Sequence, residues 1–378
     1  MRIDVLIKPE IKFMCRFLND TCDKELFDLV DPQELFSVLK QHCLFPLFYK
    51  KWNLHVWSKS DPSWIEFTSK LKEKANQNRF RMLEKTSLLL NLIKRFRENG
   101  IPVISLKGPV LGQRIYGDLT MRVSSDLDLL VKPVDFAKAV KILEDAGFIN
   151  KYITKEFTQK QSQYFFRMYR HQTFSSKTHN TAIELHWQLN HLNNQPQLSI
   201  ETAMDNSAFI MLAGEKVRVL NDSDEFLFLL AHGLSHSFHR LQWLYDLIVF
   251  SDKNNESETL NIEVKGKDKY LYNIFLACRN ILFLRKGVLK LPEDNKKFII
   301  HFLKTITKPT PKYHILRNWQ DAYGRILLSR NFKGKIHVLT AQLTSPKDWQ
   351  LISLKDRFFW MYFLMRPFLS FERIFQKK

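Results

Sequence analysis

Residues 124–131 read SSDLDLLV, with Asp126 and Asp128 one residue apart inside an apolar run. In a strand, residues two apart share a face. The two carboxylates therefore project side by side, while Leu127 and Leu129 point into a core. Aspartate is a poor strand former and costly to bury alone, so the pair needs compensation. A solvated sheet edge would supply it. So would a divalent cation, since Mg²⁺ is commonly held by one or two carboxylates together with phosphate oxygens.

The surroundings of this strand describe an α/β unit. Upstream, NQNRFRMLEKTSLLLNLIKRFRE (76–98) has helical periodicity and stops at Asn99-Gly100. IPVISL (101–106) is a short β-branched run and reads as a buried strand. KGPVLGQRIYGDLT (107–120) then reads as a turn and a short helix. Gly108 lets the backbone turn, and a helix N-terminus beside Lys107 is a ready cradle for phosphate.

Downstream, VDFAKAVKILEDAG (134–147) is an amphipathic helix, and strands are expected around KYITKEF (151–157), YRHQTFSS (169–176) and AIELHWQL (182–189). The last carries Glu184, with His186 on the same face by alternation. Three acids on adjacent strands would suit a two-metal site, with ions about 3.5–4 Å apart.

The fold class expected is α/β (α+β): a small mixed sheet in residues 79–222, with helical regions at 1–78 and 223–378. In the N-terminal region, Pro32, Pro46 and Pro62 separate short amphipathic helices. From Ser223, expected as N-cap, one helix is predicted through residue 250. His232, His236, His239, Trp243 and Asp246 recur at spacings of four and three and so share a face. That face is read as lining for the acceptor or the phosphates, with Arg240 beside it, or as a packed face of hydrogen-bonded histidines. A zinc site would need a further ligand, and no HExxH is present. The polar stretch SDKNNESETLN (251–261) reads as a linker.

The chain has 378 residues and a formal charge of +19, unevenly placed. Residues 264–378 hold 24 Lys and Arg against 7 Asp and Glu. Such a field favours polyanions, whether a phosphate-rich substrate, nucleic acid or an anionic membrane. RFFWMYFLMRPFLSFERIFQKK (357–378) mixes aromatic mass with charge. It suits peripheral membrane contact, docking on a core, or burial against a partner. No apolar run approaches the 18 or so residues of a spanning helix. The N-terminus is broken by charges and predicts no secretory leader. The four cysteines have no CxxC pairing, as in a cytoplasmic protein with reduced thiols.

Together, LKGPVLGQRIYGDLTMRVSSDLDLLV, IELHW and HGLSHSFHRLQWLYDL resemble an uncharacterised bacterial nucleotidyltransferase family of the DNA polymerase β-type superfamily. The likeness covers roughly residues 80–250. The wider superfamily has Gly-Ser or Gly-Gly in its first turn, where this chain has Lys107-Gly108.

The resemblance implies that Asp126 and Asp128 bind Mg²⁺, one ion or two, bridging an NTP, with ATP the first candidate. Glu184 would complete the second metal position or act as general base. Lys107, the Gly108 turn and Arg122, with Ser125 nearby, would supply the nucleotide contacts; Arg122 could equally pair with an aspartate. His186, His232, His236, Arg240 and Asp246 are candidate contacts to phosphate or to an acceptor, which is read as anionic. The alternative is a non-catalytic module on the same fold that binds nucleic acid or protein.

Overall fold

The computed structural model describes residues 7–52, 61–150, 156–176, 178–189, 198–253, 258–284, 293–308 and 314–375. Its centre is a five-stranded mixed sheet built from β1 (Ile104–Ser105), β2 (Asp126–Leu130), β3 (Phe148–Asn150), β4 (His171–Ser176) and β5 (Ala182–His186). The strand order is β1-β2-β5-β4-β3. β2 and β5 run parallel, and the other neighbouring pairs are antiparallel. Leu127, Leu129, Phe174, Ile183 and Leu185 are buried and pack with Leu89, Leu92 and Phe96 of the preceding helix. This core fixes the register and turns the intervening polar residues to the other face.

KYITKEF begins with residues 151–155, which lie outside the described residues. β3 has three residues, too few for a period to show in sequence. A separate hairpin, β6 (Ala208–Leu212) and β7 (Glu215–Val219), was also not anticipated. Its two-residue turn places Ala213 and Gly214 at φ of +48° and +87°. That backbone is common in tight hairpins, but Ala-Gly lacks the Asn-Gly or Asp-Gly signature.

The helix ending at Glu98 begins at Pro62 rather than Asn76 and runs across the boundary expected at residue 78. Asp61 caps it by accepting from Ser63 N at 2.8 Å, and Pro62 occupies the first turn, where no N–H is required. In this protein Pro62 starts the helix rather than breaking the chain.

The single helix expected at 223–250 is two helices, Asp222–Ser235 and Leu241–Lys253. Asn221, not Ser223, is the N-cap, accepting from Asp224 N at 2.9 Å. The break lies at Ser237 and Phe238, with φ of +50° and +44°. Phe238 N donates to Gly233 O at 2.8 Å, and a Cβ at Gly233 would lie 2.2 Å from the Phe238 ring. Glycine is needed there because the ring folds back onto the helix.

Beyond this turn, helix His314–Leu328 returns to the centre. Gly324 meets Ser237 so closely that a Cβ would lie 2.2 Å from its Oγ. Lys253 ends one helix and Glu258 begins the next, so only residues 254–257 of the expected linker lie outside the described elements. Near the C-terminus, Phe359 and Tyr362 pack with Trp349, Phe165 and Trp187. Trp360, Leu364 and Phe368 remain exposed. Among the described residues, no helix is long and apolar enough to cross a membrane. All four cysteines are free thiols, with Cys15 and Cys278 buried.

Candidate active site

A cleft of about 410 Å³ opens over the polar face of β2 and β5. The parallel register sets Asp128 directly opposite Glu184, with Asp126 opposite Ala182. Asp126, Asp128 and Glu184 all line the cleft. The two-residue period puts them on one face, and the strand pairing brings separate segments together.

Asp128 is almost completely buried and doubly countered. Lys107 Nζ lies 2.8 Å from its Oδ1, and His186 Nε2 lies 3.1 Å from the same oxygen. Both groups therefore converge on Oδ1, and Oδ2 has no hydrogen-bond partner among the described residues. Burial alone would raise the Asp128 pKa, but Lys107 and the His186 hydrogen bond hold it well below the usual carboxylate range.

Asp126 is in the opposite situation. Burial raises its pKa, and the charges of Asp128 and Glu184 add to the rise. Its carboxylate accepts a hydrogen bond from Ser125 Oγ at 3.2 Å.

Glu184 sits between two imidazoles, with His171 Nε2 and His186 Nε2 each 3.6 Å from one of its oxygens. Burial would raise its pKa, but the neighbouring His171 and His186 lower it, while burial drives the His171 pKa itself down to about 4. His186 is desolvated, yet its bonds to Asp128 and Glu184 raise its pKa and favour the imidazolium.

The turn before the short helix Gly108–Tyr116 sets Lys107. Lys107 and Gly108 have φ of +22° and +60°. A Cβ at Gly108 would meet nothing closer than 3.8 Å, so the positive φ, not crowding, is what asks for glycine. Gly108 is not among the residues lining the cleft, whereas Lys107, Ser125, His186, His232, His236 and Arg240 are.

Two expected contacts, Arg122 and Asp246, pair with each other. Arg122 reaches the cleft wall, but its Nε donates to Asp246 Oδ2 at 3.0 Å in a buried pair. Asp246 also accepts from Tyr116 OH at 2.7 Å and is wholly buried. It is not among the residues lining the cleft. This is the structural pairing that the sequence left open for Arg122. The break at Ser237 and Phe238 ends the continuous helical face on which Asp246 was placed beside the histidines.

Several residues of the site went unnoticed in the sequence. Lys85, on the buried face of the long helix, donates to Ser125 O at 3.0 Å and Thr181 Oγ1 at 2.7 Å. It ties the starts of β2 and β5 together. Burial pushes its pKa down to about 8, against the pull of Asp126. Its signal was a lysine in phase with buried Met82 and Leu89.

Arg170, His171, Arg317, Asp321 and Arg325 also line the cleft. Arg317, Asp321 and Arg325 are four residues apart on one helix, a pattern visible in the sequence but with no stated destination. Asp321 accepts from His236 Nδ1 at 2.8 Å. His236, His239 and Asp321 thus form a second compact group, with potential ligand atoms within 4.8 Å of one another.

A family model described as an uncharacterised nucleotidyltransferase matches residues 28–274. Among solved structures, that of the antibiotic-resistance factor ANT(2'')-Ia is 10% identical, covering 52% of this chain and 96% of its own, with a TM-score of 0.35. A nucleotidyltransferase-like protein from Paracoccidioides brasiliensis is 14% identical, covering 51% of this chain and 93% of its own, with a TM-score of 0.30. No curated protein matches.

Proposed function

Because the chain belongs to this uncharacterised nucleotidyltransferase family, we propose that it moves an NMP group from an NTP, with ATP the first to test, to an acceptor in a Mg²⁺-dependent reaction. The observation that carries the reading is the shared cleft of Asp126, Asp128 and Glu184, with Asp128 and Glu184 in register on parallel strands.

The donor set suits a hard divalent ion. Asp128 keeps Oδ2 available, and Asp126 lies among like charges that an added cation would offset. Asp126 and Asp128 would hold the ion, with Glu184 beside them. When bound, the ion would polarise phosphoryl oxygens and neutralise charge developing on the leaving pyrophosphate.

The chain's own groups have distinct tasks. Lys107 holds Asp128 in place and brings fixed positive charge to the cleft, where a transition state gathers negative charge. His186 bridges Asp128 and Glu184 and fixes both carboxylates. Glu184, its pKa lowered by its imidazole neighbours, can accept a proton from an acceptor hydroxyl as its oxygen attacks the α-phosphorus.

The test is label transfer. The protein is incubated with each α-³²P-labelled NTP, Mg²⁺ and a cell extract, beside its Asp126→Asn/Asp128→Asn variant. Label moving to a macromolecule or metabolite with the wild type alone supports the reading. Transfer by both proteins, or by neither, overturns it.

A further inference from the structure

Besides Arg122, which is paired with Asp246, four arginines line the same cleft: Arg170 just before β4, Arg240 in the turn after Ser237 and Phe238, and Arg317 and Arg325 on helix His314–Leu328. Among the described residues, no carboxylate forms an ion pair with any of their guanidinium groups. Asp321, on the same helix, is hydrogen-bonded to His236 at 2.8 Å, and its charge also acts on Arg325. Arg170 Nε is sealed from solvent and has no hydrogen-bond partner. Burial drives the Arg170 pKa down to about 10, and the neighbouring charge of Arg325 pushes the same way.

Arg170 and Arg325 are desolvated cations that repel each other, with Asp321 offsetting part of the charge of Arg325, and such an arrangement is costly to a fold. Guanidinium is planar, keeps its charge in such a place and matches the oxygens of a phosphate in a two-point contact. The helix of Arg317 and Arg325 lies outside residues 28–274, the stretch matched by the family model.

We propose that Arg170, Arg317 and Arg325 form a phosphate-binding wall of the cleft, taking a phosphoryl group carried by one of the two substrates. The inference rests on the nucleotidyl-transfer reading for what those substrates are. The phosphate belongs either to the polyphosphate tail of the nucleotide or to a phosphorylated acceptor.

Metal-free inorganic pyrophosphate, titrated calorimetrically into the full chain, tests the wall. Arg170→Gln/Arg325→Gln is expected to weaken its binding at least about tenfold, and Arg317→Gln alone about threefold. Asp126→Asn/Asp128→Asn is expected to keep it, because the acids only repel an anion. Removing the repulsion between Arg170 and Arg325 should leave the melting temperature of the unliganded double variant unchanged or higher.

Mg-ATP binding then separates the sources. A parallel tenfold loss in the double arginine variant assigns the phosphate to the nucleotide. Affinity kept within about twofold, with pyrophosphate binding lost, assigns it to the acceptor. Pyrophosphate that does not bind the wild type, or binds the arginine variants equally well, overturns the proposal. Should Arg170→Gln/Arg325→Gln not fold, unchanged binding in Arg317→Gln overturns it alone. Failure of the transfer reading is seen separately, as Mg-ATP binding that ignores Asp126 and Asp128.

Discussion

Asp128 and Glu184 are register partners on neighbouring parallel strands, and His186 Nε2 spans them at 3.1 and 3.6 Å. Two carboxylates and an imidazole whose pKa they raise thus form a unit whose net charge is negative before Asp126 is counted. Lys107 offsets part of that charge from the side of Asp128. The arrangement separates residues that hold the site together from residues free to meet a ligand.

Glu184→Gln removes charge at nearly constant volume. It is expected to lower label transfer by roughly 10²–10⁴-fold, the usual contribution of a positioned proton acceptor. Thermal unfolding should stay close to wild type, because Glu184 is partly exposed and its imidazole neighbours lie at 3.6 Å. Full activity in this variant would remove Glu184 from the chemistry.

Lys107→Met leaves Asp128 buried with His186 as its remaining counter-charge. Breaking one side of a buried pair costs about 3–5 kcal/mol, measurable by urea unfolding. Adding Asp128→Asn should recover part of that loss, because the orphaned charge is then gone. Simple additivity of the two changes would mean that the 2.8 Å contact carries no coupling.

The Arg122, Asp246 and Tyr116 group is expected to govern stability rather than ligand affinity. Tyr116→Phe deletes one hydrogen bond to a buried carboxylate and should cost about 1.5–3 kcal/mol. Mg-ATP affinity, measured calorimetrically, should be unchanged. A large loss of affinity in a stably folded Tyr116→Phe protein would place this network in the ligand site.

Acid is expected to destabilise the protein through two buried histidines, opposed by buried Glu225, whose pKa burial pushes up to about 7. Burial lowers the His42 pKa from 6.5 to about 4. Burial and then the neighbouring His236 lower that of His239 to about 3. Above pH 6.5 both are neutral folded or unfolded, and their contribution is fully present. As pH falls below 6.5 the unfolded chain takes up protons that the native state refuses, so stability declines toward pH 4. Each group contributes up to about 1.4 kcal/mol per pH unit. In urea midpoints between pH 7 and 5, His42→Gln should differ from the wild type by about one proton of slope. An unchanged slope would exclude His42.

The sequence by itself determined the local pieces of this protein. The DLD alternation placed Asp126 and Asp128 on one strand face, and AIELH did the same for Glu184 and His186. Apolar periodicity gave the long helix, because these patterns are set by backbone geometry within a few residues. The helix break at Ser237 and Phe238 was not legible, because it depends on a ring packing back onto Gly233. Nor was the burial of Asp246, whose partners Arg122 and Tyr116 are 124 and 130 residues away.

Only the tertiary structure decided that β2 and β5 pair in parallel register and that helix His314–Leu328 folds back into the cleft. Which charges neutralise each other depends on distance in space. Strand pairing and helix docking set those distances, through a buried core whose members are scattered along the chain.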